Sequence, residues 1–132
     1  MTNPRQFILS TGIKIFLGKN AENNDELVNK FKGKPNVILH TEKPGSPFCI
    51  MDSENPSNQE IKQAAIICAA KSQAWRDTKN NVEVHKFTGK NVKKPLFSKQ
   101  GSWKLTIKPE TIKVNKKEIK QWLENYNSAN KE

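Results

Sequence analysis

Hydrophobic and polar positions alternate along this chain with two different periods. Phe7-Ile8-Leu9, Ser10-Thr11-Gly12 and Ile13-Lys14-Ile15-Phe16-Leu17 read as a β-hairpin turned at Gly12. Gly18-Lys19-Asn20 ends its second strand. A helix is predicted from Ala21, with Asn20 as N-cap and Glu22, Asp25 and Glu26 in its first turns, where carboxylates suit the positive helix end. Leu27, Val28 and Phe31 form its buried edge, and Gly33 and Pro35 stop it. Val37-Ile38-Leu39-His40 is a short apolar strand, residues 41–47 a loop, and Phe48-Cys49-Ile50-Met51 a second buried strand. Ser57, with Glu60 three residues on, makes a capping box for a long helix. Ile61, Ala64, Ala65, Cys68, Ala69 and Trp75 recur in it at helical spacing, and its alanines let it lie close against a sheet.

Residues 76–81 read as a polar connection, and residues 82–87 alternate cleanly as a strand. Residues 103–108 and 111–114 predict a second hairpin, turned at Pro109-Glu110, with Leu105, Ile107, Ile112 and Val114 inward. Asn115 caps a last helix with Glu118 in the capping-box position and Ile119, Trp122, Leu123 and Tyr126 as its stripe. Residues 127–132 are expected to fray. About seven short strands and three helices place the chain in the α+β class. The expectation is one domain over residues 1–126, built on a mainly antiparallel sheet. The helices lie on one side of it, and the long central one packs on the sheet.

With 132 residues, 34% of them hydrophobic, the chain can bury one core but not two. Charge adds a partner class: 23 Lys+Arg against 13 Asp+Glu give a net charge of +10, which favours a polyanion. The excess is uneven. Residues 1–85 carry 11 basic and 9 acidic side chains, and residues 86–132 carry 12 lysines and 4 glutamates. The competing reading is a lysine-rich surface that only confers solubility. No apolar run approaches the about 20 residues a membrane span needs, so no membrane partner is expected. Arg5 is followed by too short an apolar run for a signal peptide, and the expected location is cytoplasmic. Cys49 and Cys68 each sit among apolar neighbours and read as free buried thiols.

The densest charge lies in Thr88-Gly89-Lys90-Asn91-Val92-Lys93-Lys94-Pro95, three lysines in five residues with no acid. Lys86 before and Lys99 after raise the count to five within fourteen residues. Such a segment neutralises phosphates without choosing sequence. Phe97 and Trp103 flank it and offer stacking faces for unpaired bases, whereas Trp75 belongs to the core stripe. Gly18-Lys19-Asn20 at a helix start suits a phosphate, against the plainer reading of a capped strand-to-helix turn. His40 and the following Gly45-Ser46 can face a ligand, or the histidine can satisfy a buried loop carbonyl. His40, His85 and a lysine make an acid–base ribonuclease conceivable, and two histidines with two cysteines a zinc site. Cys49 and Cys68 are 19 residues apart and neither has a close Cys or His partner. No phosphate-binding P-loop or serine-nucleophile motif occurs. The chain therefore reads as a binding protein, with no catalytic residue, metal or cofactor assigned.

Several of these segments together resemble a known family. Gly18-Lys19-Asn20-Ala21-Glu22-Asn23-Asn24-Asp25 looks like the Gly-Arg/Lys-Asn-x-x-x-Asn-Asp signature of the NFACT-R domain. Val37-Ile38-Leu39-His40 followed by Pro44-Gly45-Ser46 is similar to its strand-His and Pro-Gly-Ser-His segment. Val92-Lys93-Lys94-Pro95 with Gly101, the paired alanines of the central helix, and Thr111-Ile112-Lys113-Val114 also fit, over residues 12–115. Three positions depart: Pro47 stands where the family has His, Gln100 where it has Pro, and Ile38 where an aromatic is usual. The resemblance implies an RNA-binding domain. In large members it accompanies domains that recognise tRNA and the large ribosomal subunit during rescue of stalled nascent chains. Here it looks like a stand-alone member, with tRNA, rRNA or the ribosome as expected partner. A eukaryotic stand-alone relative binds DNA, which keeps DNA open. Docking on a ribosomal or acidic protein is the rival reading. Lys19, Asn20, Asn24, His40, Ser46, Lys93 and Lys94 carry over as candidate contacts, and the charge pattern adds Lys90 and Lys99.

Overall fold

The computed structural model describes residues 3–129. In chain order its elements are β1 (Arg5–Ile8), β2 (Lys14–Leu17), α1 (Ala21–Phe31), β3 (Val37–His40), β4 (Cys49–Met51), α2 (Asn58–Ala70) and α3 (Gln73–Thr78). They continue with β5 (Val82–Thr88), a 3-10 turn (Gly89–Asn91), β6 (Val92–Lys93), β7 (Lys104–Leu105), β8 (Glu110–Val114) and α4 (Lys116–Ala129). Six strands form one sheet in the order β1-β2-β4-β3-β5-β8, every pair antiparallel, and β6 and β7 form a small second sheet. The fold is α+β, as the periodicity predicts.

The expected helix starts follow from local chemistry. Asn20 accepts from the Asn23 N–H at 2.8 Å, and the Ser57–Glu60 pair closes its capping box at 3.1 and 2.8 Å. Asn115 and Glu118 do the same for α4, at 2.9 and 3.0 Å. Gly12 turns the first hairpin at φ +94°, a conformation that favours glycine. Cys49 and Cys68 are free and buried, and burial pushes the Cys49 thiol well above its ordinary value.

The layering differs from expectation, because helices cover both faces of the sheet. Period-two alternation sends Ile15, Leu17, Leu39, Cys49, Met51, Val82 and Val84 to one face, where α2 and α4 bury them. Ile38, Ile50 and Phe87 point to the other face and meet Leu27, Val28 and Phe31 of α1. A strand apolar on both sides needs two covering layers, and β3 and β4 are buried at almost every position.

Three further boundaries are corrected. The 103–108 and 111–114 segments do not pair with each other: Leu105 pairs with Val92, whereas Ile112 and Val114 pair with Val84 and Val82. Ile107, expected inward, is exposed. The central helix ends at Ala70, where the Ser72 hydroxyl donates to the Ala69 carbonyl at 2.7 Å and accepts the Trp75 N–H at 3.2 Å, starting α3. Residues 76–78 are therefore helical and not part of a connection. At the C-terminus α4 continues to Ala129, and residues 130–132 lie outside the described part.

Candidate nucleic-acid interface

The turn into α1 uses its polar side chains as clamps. Asn23 Oδ1 accepts the Lys19 N–H at 3.0 Å. The buried Asn24 accepts the Phe48 N–H at 3.1 Å, and the Gly18 N–H donates to the Phe48 carbonyl at 3.1 Å. A Cβ on Gly18 would run into the Asn24 amide, so glycine is required by close approach. These bonds join the start of α1 to the loop before β4.

Asp25 fixes a second loop. Its Oδ1 accepts the Gly101 N–H and the Trp103 indole N–H, each at 2.9 Å, and lies 3.2 Å from the Lys94 ammonium. Lys94 also donates to the Lys99 and Ser102 carbonyls at 2.9 and 2.7 Å and sits 5.2 Å from the Trp103 ring centroid. An ammonium has three protons, so Lys94 is fully used inside the protein. It ties residues 94–103 to α1.

Between these loops lies a cleft of about 1070 Å³. Its mouth carries Arg5, Lys19, Lys43, Lys71, Arg76 and Lys99, against one carboxylate, Glu42. His40 and His85, cross-strand neighbours on β3 and β5, form part of its wall with Phe87 and Trp103. The His40 ring stacks on Phe48 at 4.0 Å between centroids. Burial lowers its pKa from 6.5 to about 4, a hydrogen bond to the Ser46 backbone opposes this, and His85 adds to the lowering. His40 is therefore neutral at pH 7. Ser46 is buried, and its Oγ accepts from the Thr41 hydroxyl at 2.7 Å and from the Gln73 N–H at 3.0 Å. The Arg76 guanidinium donates to the Gly45 and Lys71 carbonyls at 3.4 and 3.1 Å, so it braces the 41–47 loop while facing the cleft. Lys71 lies 5.2–5.8 Å from the ring centroids of Phe7, Trp122 and Tyr126. Its pKa is held below the ordinary lysine value by burial, then by repulsion from Arg5 and Arg76.

The family described as the NFACT protein RNA binding domain matches residues 4–105. The chain belongs to this family. Its curated relatives include the Rqc2 homolog RqcH of Bacillus subtilis (strain 168), 36% identical over 93 residues. That match covers 70% of this chain and 16% of the relative. The Rqc2 homolog RqcH of Streptococcus suis (strain 05ZYH33) is 34% identical over 100 residues, covering 74% and 18%. The chain thus spans less than a fifth of the curated relatives it matches. Among solved structures, the C-terminal part of the fibronectin/fibrinogen-binding protein from Streptococcus suis aligns with a TM-score of 0.77 at 26% identity. This covers 92% of this chain and 49% of that one.

Within this NFACT-R fold the nine residues singled out from sequence separate into groups. Lys19, Asn20, Asn24, His40, Ser46 and Lys99 all border the cleft. Asn24 and Ser46 do so as buried clamps. Lys90 and Lys93 are exposed but lie on the 3-10 turn and β6, away from the cleft lining. Lys94 is the internal tie described above. Sequence reasoning passed over Arg5, Lys43, Lys71 and Arg76, which are scattered along the chain and form no run. Pro47 and Gln100, two of the departures from the family pattern, both line the cleft.

Proposed function

We propose that this chain is a non-catalytic RNA-binding module that acts with tRNA or the ribosome in ribosome-associated quality control. The carrying observation is the cleft itself, where six basic side chains from five separate segments converge on one concave surface with a single carboxylate. Lys19 and Lys99 are both exposed and border the cleft, one beside the start of α1 and the other on the Asp25-tied loop, whose Gly101 packs against Ala21. Phosphates bound there release counterions, which makes affinity fall with salt. Family membership supports RNA as the polyanion. The binding reading is supported over a hydrolytic one by His40, whose ring is half-buried, stacked on Phe48 and a weak base at pH 7.

The test is titration of labelled tRNA and single-stranded RNA at several salt concentrations. A Lys19→Glu/Lys99→Glu variant is expected to weaken binding and flatten the log–log salt slope by roughly 0.7 per lost phosphate contact. A Lys116→Glu/Lys120→Glu control on α4 should bind as the parent does. Affinity indifferent to salt, or unchanged in the cleft variant, would overturn the reading.

A further inference from the structure

Resting on that RNA reading, we propose that Phe97 is a stacking finger that takes an unpaired base of the strand whose phosphates lie along the cleft. Its ring is wholly exposed at 102%, and neighbouring Leu96 is 88% exposed. Both stand at the tip of the loop whose base is tied to Asp25.

Two adjacent local costs are stored at this tip, held there by the clamp at the loop's base. Phe97 has φ +61°, a left-handed conformation that bulky side chains rarely adopt. The other non-glycine residue of this kind among the described residues, Lys79, is an ordinary helix C-cap. Next to Phe97, Ser98 Oγ is buried without a hydrogen-bond partner. Strain concentrated in two consecutive residues, on a loop clamped at its base, marks a site shaped for something other than stability. Nothing in the core gains from it, because the ring faces solvent.

Charge selects the partner. Residues 84–109 contain seven lysines and no acid, so the tip sits in a positive field. Lys99, two residues away, borders the cleft. Two residues span at most about 7 Å, so a strand held at Lys99 brings a base to Phe97. Every base has a π-face, and stacking on an exposed aromatic is tolerant of sequence but requires an unpaired base.

The experiment compares a single-stranded oligoribonucleotide with a blunt RNA duplex at one salt concentration, and then repeats the single strand across salt. Phe97→Ala is expected to weaken single-strand binding about tenfold, to leave duplex binding unchanged, and to leave the salt slope unchanged. Phe97→Trp is expected to restore it. Lys99→Glu changes the slope instead. Parental affinity in Phe97→Ala, or equal losses from single strand and duplex, would overturn the stacking role while the RNA reading stands. A nuclease-resistant protein complex lost in Phe97→Ala would reassign the tip to a protein pocket. Absence of RNA binding by the parent chain would remove both. Thermal melting of each variant confirms that the fold is intact.

Discussion

Asp25 on the first helix accepts the indole N–H of Trp103 at 2.9 Å, across 78 residues of sequence. The same oxygen accepts Gly101 and Lys94, so one carboxylate closes the loop that forms a lip of the cleft. Asp25→Ala leaves three donors without their acceptor. Stability is expected to drop by about 3 kcal/mol, since bonds to a charged partner are the strong ones. Urea unfolding measures the loss, and faster solvent exchange of the Trp103 indole proton reports the released loop. A change within the scatter of ordinary surface substitutions would show that the loop is held elsewhere.

Neighbouring lysines should behave oppositely. Lys94 donates to three internal acceptors, whereas Lys93 is exposed on a two-residue strand. Lys94→Met is expected to cost about 2 kcal/mol of stability. Lys93→Met should stay within about 0.5 kcal/mol of the parent. Equal urea midpoints for the two variants would contradict this division.

Much of the architecture was legible because it is local. Caps at Asn20, Ser57 and Asn115, the turn at Gly12, and the helical stripes each need only a few neighbouring residues. Pairing choices were less legible. Leu105 and Ile112 both carry strand patterning, but the pattern does not name a partner, and β8 pairs with the edge of β5 while Leu105 joins Val92. The break at Ser72 was hidden because Trp75 stays in phase with the preceding stripe. The cleft was only partly legible for a related reason. A run such as Lys90, Lys93 and Lys94 stands out in sequence, yet folding sends these side chains in different directions. Arg5, Lys43, Lys71 and Arg76 are dispersed in sequence, and only the sheet and α3 bring them together.

Three glycines give a graded series. A Cβ on Gly89 meets the Phe31 and Lys34 carbonyls, which are backbone and cannot turn away. A Cβ on Gly18 meets the Asn24 side chain and breaks its bond to Phe48. Gly12 has open space around it, and only its positive φ resists alanine. Gly12→Ala is expected to cost about 1 kcal/mol. Gly18→Ala should cost about 2 kcal/mol, and Gly89→Ala more, up to loss of folding. Any other order of midpoints would count against these contacts.

The stability of the fold should depend on His40 in mildly acid solution. Its pKa is about 4 in the folded chain, against 6.5 for an ordinary histidine. Between those values the unfolded chain binds the proton and the folded chain does not, so falling pH favours unfolding. The contribution is fully present above pH 6.5, declines as pH falls, and is lost once the pH drops through 4. The separation corresponds to on the order of 3 kcal/mol. Other groups titrate in the same range, so the measurement is the difference between the parent and His40→Gln. Urea unfolding at steps from pH 7 to pH 4 should show the parent losing stability faster than the variant. Parallel curves would mean that the ring is protonated at little cost, and that its burial against Phe48 does not hold it neutral.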